Sequence, residues 1–476
     1  MSLDQQINDF FAPISNAVAN VIFYKASVPI AGETFDIALI LVWLAAASLF
    51  LTLYFGFINL RYFGHAIAVL RGKHDKKGED GQINRFQALT TSLSGTVGLG
   101  NIGGVAVAVS VGGPGAVFWM AMMGLFGMSA KFAEAALGVK YRVQNGSGEA
   151  AVISGGPMYY IKAAFNKLNV PILGQILAIV FAICCIGGAI GAGNMFQANQ
   201  ATQQLVNVSG GEASFFFDKG WLIGLVLAVL VGAVIIGGLK SIAAVASRVV
   251  PFMGALYLLA GLIVIILNIH NLIPSLITIV QMAVTPEAGL GAIIGALLIG
   301  VQRAAFSNEA GIGSAAIVHA TAKTDQPVSQ GFVGMLGPFI DTIIICMITA
   351  LVIVITGSYE GGEGMEGVTL TSRAFESVIP WFPYVLALVV CLFAYSTMIA
   401  WFYYGLKCLT FMTGDKPVIE MGYKIFFCAC VVIGSSSALD SIIGFSDAIL
   451  FAMAIPNIIA LYILAPELKK DIKDYV

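Results

Sequence analysis

The chain has 476 residues, 58% of them hydrophobic and only 11% charged, with a formal net charge of −2. Its mean hydropathy is +0.91. Soluble domains carry about 25% charged residues, so a soluble globular protein is excluded and an integral membrane protein is described. The near-neutral charge gives no sign of nucleic-acid binding. Seven cysteines (Cys184, Cys185, Cys346, Cys391, Cys408, Cys428 and Cys430) all fall inside apolar stretches, with no spacing of a metal site or disulfide framework.

Residues 1–35 lack a basic segment leading into an apolar core, so no cleavable signal is expected. Interrupted by Asp4, Asp9, Pro13 and Pro29, they read as a surface or interfacial helix ahead of a first, uncleaved span. A crossing helix needs about 20 mostly apolar residues. On that basis eleven spans are predicted, near 36–58, 86–112, 114–139, 172–206, 220–239, 249–270, 288–319, 328–356, 383–411, 418–436 and 440–465. Alternate loops, from Arg61 to Lys473, collect 19 of the 24 basic residues, against Lys25, Lys219 and Arg373 on the other side. The positive-inside rule then puts the amino terminus outside and the carboxy terminus in the cytoplasm.

The second span holds the most informative run, Ser94-Gly-Thr-Val-Gly-Leu-Gly-Asn-Ile-Gly-Gly104, with five glycines in eleven positions. Glycine costs a helix interior about 1 kcal/mol relative to alanine, so the helix is expected to break there. A break at membrane depth is tolerated only where protein or a hydrated cavity surrounds it. Carbonyls ending the first half, near Ser94 and Val97, suit a hard cation such as sodium. N–H groups opening the second half suit a carboxylate. Gly98 and Gly100 let a ligand approach the backbone, and Asn101 offers an amide. The letters Gly98-x-Gly100-x-x-Gly103 also fit a dinucleotide fingerprint, but no strand precedes them and no acidic residue follows at the required distance.

The fourth span carries Asn194 and Gln197, three residues apart and so on one helix face. Five spans after the first break, the seventh runs Gly300-Val-Gln-Arg303-Ala-Ala-Phe306-Ser-Asn308-Glu309-Ala-Gly311-Ile-Gly313, again placing an asparagine among glycines. Gly113-Pro114 and Gly337-Pro338 are expected to open the spans that follow. An offset of five spans inverts the second unit relative to the first, and paired breaks point to a transporter site at the repeat interface. In the ninth span Thr397, Trp401 and Tyr404 share a face, next to Ser396. Hydroxyls there, beside broken-helix carbonyls, make a neutral oxygen cage for sodium, and Trp401 walls a small ligand. Lys131, Glu134, Arg303, Glu309 and Asp341 are ionisable groups within spans. Lys131 and Glu134 are spaced to pair, and Arg303 and Glu309 to brace the second break. His65, His74, His270 and His319 lie near span ends or in loops, which favours sodium over proton coupling.

Phe86-Gln-Ala-Leu-Thr-Thr, Gly98-Leu-Gly-Asn-Ile, Gly112-Gly-Pro-Gly-Ala-Val-Phe-Trp-Met, Gly155-Gly-Pro-Met-Tyr-Tyr, Phe306-Ser-Asn-Glu-Ala-Gly, and Ser396-Thr397 with Trp401 together resemble the alanine or glycine:cation symporter family, over about residues 35–465. One departure is Ala121, where that family's signature has a second Trp. The resemblance implies an all-α integral membrane protein of the leucine-transporter type, a 5+5 inverted repeat with one extra amino-terminal helix. Residues 1–60 would hold the amino-terminal segment and extra span, 86–270 the first repeat, 271–465 the second and 466–476 a cytoplasmic tail. It also implies sodium-coupled uptake of a small neutral amino acid through the inner membrane. Sodium would lie at Ser94, Val97, Ser396 and Thr397, and the amino acid at Gly98, Gly100, Asn101, Asn194, Gln197, Phe306, Thr397 and Trp401. Proton coupling through Glu309 or Asp341, with a different solute on the same fold, is the alternative; a channel lacks symmetric pore-lining spans. No nucleophile–base constellation or metal cluster suggests an enzyme.

Overall fold

The computed structural model describes residues 13, 16–30, 33–75, 78–145, 152–285, 289–360 and 367–476. It is mostly helical. Among the described residues eight helices are long and apolar enough to cross a membrane, or nine when Arg85–Thr96 and Gly100–Gly112 are taken as one bent span. A helix overlaps each of the predicted segments, though Leu39–Tyr54 and Gly220–Ile235 have only 16 residues each. The apolar helix Ile269–Val284 was not among the predicted spans.

The amino-terminal expectation is corrected. A helix covers 16–22, but Lys25–Ile30 and Glu33–Ala38 form an antiparallel hairpin with Ser27 Oγ donating to Asp36 Oδ1 at 2.8 Å. Exposure alternates along the first strand, the period-2 signature of a strand with one covered face. Asp4 and Asp9 lie outside the described residues. A second small hairpin pairs Val143–Asn145 with Val152–Ser154, so the fold is not purely α.

The first broken helix begins on a capping box: Asn84 Oδ1 accepts the Gln87 N–H at 2.8 Å, and Gln87 Oε1 accepts the Asn84 N–H at 3.1 Å. It runs to Thr96, bends by 54°, resumes as a π-turn over Gly100–Gly104 and continues to Gly112. Gly113 (φ +67°) and Pro114 then separate it from the helix Gly115–Lys140. Gly337-Pro338 does not open a span as expected. It lies inside a continuous run from Pro327 to Ile355, where Pro327 takes the helix-opening position.

Where the first broken helix starts, the buried Arg85 guanidinium ties it to the segment following the second break. It donates to Ser329 Oγ (2.5 Å) and Thr324 Oγ1 (3.0 Å) and pairs with Asp75 (3.2 Å) and Glu79 (3.4 Å). Backbone bonds Gln82 N to Thr321 O and Lys323 N to Ile83 O, both 2.8 Å, complete the closure at that end.

Candidate functional site

At the first break side-chain oxygens take up backbone N–H groups that the helix releases. The Gly98 N–H donates to Asn101 Oδ1 at 2.9 Å, and the Leu99 N–H donates to Gln197 Oε1 at 3.0 Å. Two amide oxygens therefore sit where the oxygens of an anionic ligand would accept. A bound carboxylate must displace one of them or reach the backbone further along. Gln197 is itself fixed by its Nε2 donating to the Ala192 carbonyl at 2.9 Å.

Asn101 turns its NH2 away from the cavity to Asp341, donating to Oδ1 at 2.6 Å and to the backbone carbonyl at 3.1 Å. Asp341 Oδ2 accepts from Ser307 Oγ (2.7 Å) and Thr342 Oγ1 (2.8 Å). One buried carboxylate thus joins the first break to the helix Leu290–Asn308.

The second break follows Leu290–Asn308. Glu309 has φ +56°, Gly311 +88° and Gly313 +95°, and a short helix resumes at Ser314–His319. Left-handed backbone at a non-glycine residue is uncommon and ends the helix there. Asn308 Oδ1 accepts the Ala310 N–H at 2.9 Å, and Lys131 Nζ donates to the Glu309 carbonyl at 3.2 Å. Side chains again take up backbone groups that the helix releases.

The predicted face of Phe382–Thr413 packs along the first break. Trp401 Nε1 donates both to the Gly95 carbonyl and to Glu309 Oε1, each at 3.1 Å. Thr397 Oγ1 lies against Gly98, where an added Cβ would come within 2.5 Å of it. On the far side of the indole, Gly193 belongs to a π-turn, Gly191–Met195, inside the helical run Pro171–Val208. A Cβ there would come within 2.2 Å of Trp401 Cγ, so only glycine allows this approach. A third π-turn, Phe339–Cys346, carries Asp341. Such turns frequently mark functional positions in helices, and all three face this one region.

Between these elements lies a cavity lined by Gly95, Gly100, Gln197, Phe306, Glu309 and Trp401, among others. Its volume is about 10 Å³, room for one water-sized group. Phe306 covers it, edge-on to Phe196 at 5.3 Å between ring centroids and beneath the Arg303 guanidinium, also at 5.3 Å.

Of the predicted residues, Gly100, Gln197, Phe306 and Trp401 line the cavity, and Gly98 stands next to Thr397. Asn194 does not; its amide donates to the Phe427 carbonyl at 2.7 Å. Ser94 and Ser396 meet, with Ser94 Oγ donating to the Ser396 carbonyl at 2.5 Å. The Ser396 hydroxyl turns back on its own helix, donating to Phe393 O at 3.0 Å. Thr397 Oγ1 is buried without a hydrogen-bond partner. Val97 is buried at the end of the first half-helix, with ψ +82° marking its exit from helical backbone.

Both expected ion pairs are replaced. Arg303 pairs not with Glu309 but with Asp447 of the last helix, which also accepts from Gln302 Nε2 at 2.8 Å. Lys131 turns to the Glu309 carbonyl, leaving Glu134 to accept the Asn457 amide at 2.9 Å. Glu309, expected as a brace with Arg303 and, like Asp341, as a candidate for proton coupling, lines the cavity, and Asp341 holds Asn101. The signal for Glu309 is a carboxylate beside the second break; Asp341 lies in mid-span, far in sequence from either break, and only the cost of an ionisable group there marks it.

Two interrupted helices meeting at a buried polar cavity within a multi-pass apolar bundle define a secondary membrane transporter. The chain belongs to the sodium:alanine symporter family, whose family model matches residues 23–476; this is a family of symporters, not of enzymes. It is 40% identical over 438 residues to the sodium/alanine symporter AgcS of Methanococcus maripaludis, covering 91% of this chain and 93% of that protein. It is 36% identical over 434 residues to the amino-acid carrier protein AlsT of Bacillus subtilis, covering 91% and 88%. The solved structure of MhsT in complex with L-phenylalanine has a similar fold, with a TM-score of 0.54 at 15% identity over 82% of this chain and 89% of that one. That likeness gives the fold alone, of the leucine-transporter type.

Proposed function

We propose that this chain is a sodium-coupled symporter that imports a small neutral amino acid, alanine or glycine, by alternating access. Eleven spans arranged as one extra helix and two inverted five-helix units would carry it, with the amino terminus outside and the carboxy terminus in the cytoplasm. The observation that carries the reading is the first break. Thr397 brings an unpartnered hydroxyl against Gly98, and Gly95, Thr96 and Gly100 line the cavity. An orphaned buried hydroxyl costs about 1–3 kcal/mol, and a sodium ion among oxygen donors gives it a partner. The candidate donors are the Ser94 and Val97 carbonyls and the Ser396 and Thr397 hydroxyls.

The amino acid's carboxylate would replace an amide oxygen at the Gly98–Leu99 N–H groups, while Phe306 and Trp401 keep the ligand small. The cavity is too small for an amino acid as it stands, so loading requires the two breaks to move apart. Sodium that favours the open arrangement, and a ligand touching both breaks that favours the closed one, couple the two fluxes. In vesicles containing the purified protein, labelled alanine should accumulate when sodium is imposed outside and not when potassium replaces it. Accumulation that follows a pH gradient and ignores sodium would instead favour proton coupling through Glu309 or Asp341.

A further inference from the structure

We infer that the Glu309 carboxylate anchors the ligand's ammonium group, so that the site selects for a protonated amine and not merely for small size. This rests on the reading of the cavity as an amino-acid site. Among the residues lining the cavity, Glu309 is the one ionisable group. It is held at every point of attachment. Its backbone sits in a left-handed turn with the carbonyl bound by Lys131 at 3.2 Å, Oε1 accepts from Trp401 at 3.1 Å and Oε2 accepts from Ser314. The carboxylate is therefore positioned before any ligand arrives, and little ordering remains to be done on binding.

The surrounding charge is unbalanced in the direction that favours a cation. Arg303 and Asp447 neutralise one another. Glu134, Glu309 and Asp341 are left with Lys131, whose ammonium is directed at a backbone carbonyl. In a poorly screened interior, an added ammonium beside Glu309 is attracted strongly and an added carboxylate is repelled. The water-sized space next to Glu309 is also the size of an ammonium group. With the ammonium at Glu309, on the second break, the ligand's carboxylate is directed to the N–H groups of the first, so that one zwitterion bridges both units.

The test uses the purified full-length protein in saturating sodium, with binding of labelled alanine measured directly and with lactate and alaninamide as competitors. Wild type should bind alanine, yield to alaninamide and ignore lactate. Glu309→Gln should weaken alanine about tenfold or more while keeping the thermal stabilisation given by sodium alone. Glu309→Asp, which retains the charge one methylene further back, should fall between them. Unchanged alanine affinity in Glu309→Gln, or lactate competing with wild type as well as alaninamide does, overturns the assignment. Should Glu309→Gln not fold, the competitor series on wild type and Glu309→Asp still decides it. Wild type that binds no small neutral amino acid at all would instead defeat the symporter reading.

Discussion

The Asn101 amide donates to the Asp341 carboxylate at 2.6 Å, across 240 residues of sequence and from the first broken helix to the run Pro327–Ile355. Asn101 also holds the break in shape from within, through its Oδ1 at the Gly98 N–H. One side chain thus fixes the local backbone and the distance between the two helices.

Asn101→Ala removes both functions. It leaves a buried carboxylate short of one donor, a loss worth about 1–3 kcal/mol, and the Gly98 N–H with the Thr96 carbonyl as its remaining partner. A clear fall in thermal stability is expected together with a strong loss of alanine binding, since the N–H groups are no longer held in place. Asp341→Asn keeps an acceptor for Ser307 or Thr342 but sets an amide against the Asn101 amide, and should cost less. Scanning calorimetry and direct binding on the two variants check the order; wild-type alanine binding by Asn101→Ala would remove this residue from the site.

A pair of glycine substitutions separates site geometry from helix propensity. Gly98→Ala places a Cβ within 2.5 Å of Thr397 Oγ1 and 3.0 Å of Gln197 Oε1, whereas a Cβ at Gly104 meets nothing within 4 Å. Gly104→Ala should be neutral, or more stable by up to about 1 kcal/mol. Gly98→Ala must push the long helix away from the break, and transport should fall to background even where the protein purifies normally. Equal transport by the two variants would show that the contact of Gly98 with Thr397 has no bearing on activity.

How much of this was legible depends on the range of the interaction. The break near Ser94–Gly104 and the shared face of Thr397, Trp401 and Tyr404 were readable because helix propensity and the 3.6-residue period act locally. The approach of Gly193 to Trp401 was not, because a glycine that admits a neighbour looks in sequence like one that merely loosens a helix. Ion pairing was misread for the same reason: Arg303 and Glu309 are close in sequence, yet the left-handed turn at Glu309 sends its carboxylate to Trp401 and Ser314. Arg303 then pairs with Asp447, which lies on the last helix and was not singled out. The amino-terminal hairpin is not legible because Pro29 reads as an interruption, whereas a proline is compatible with an edge strand and here pairs with Thr34.

The pair of Arg303 with Asp447 is buried on both sides, with side-chain exposures of 4% and 2%. Truncating one member of such a pair typically costs about 3–5 kcal/mol, because the other is left as an uncompensated buried charge. Arg303→Met should therefore destabilise strongly, while Arg303→Met with Asp447→Asn should recover part of the loss. Because the guanidinium also lies over Phe306, the recovered double variant should bind alanine less selectively against larger amino acids. Thermal unfolding and competition with leucine measure the two effects separately.

Thr397 gives a prediction in which stability and function move in opposite directions. Its hydroxyl is buried with no partner, so in the absence of sodium the fold carries its desolvation cost. Thr397→Val keeps the shape and removes the hydroxyl, so the sodium-free protein should be as stable as wild type or more so, by about 1 kcal/mol. A residue needed only for packing would not behave this way. If the hydroxyl is a sodium ligand, the same variant should lose most of its sodium-induced thermal shift and need higher sodium for half-maximal alanine uptake. Alanine affinity at saturating sodium should change less. A Thr397→Val protein that keeps the full sodium shift would exclude the hydroxyl from the ion site, and the cage would then have to be built from the Ser94 and Val97 carbonyls with other donors.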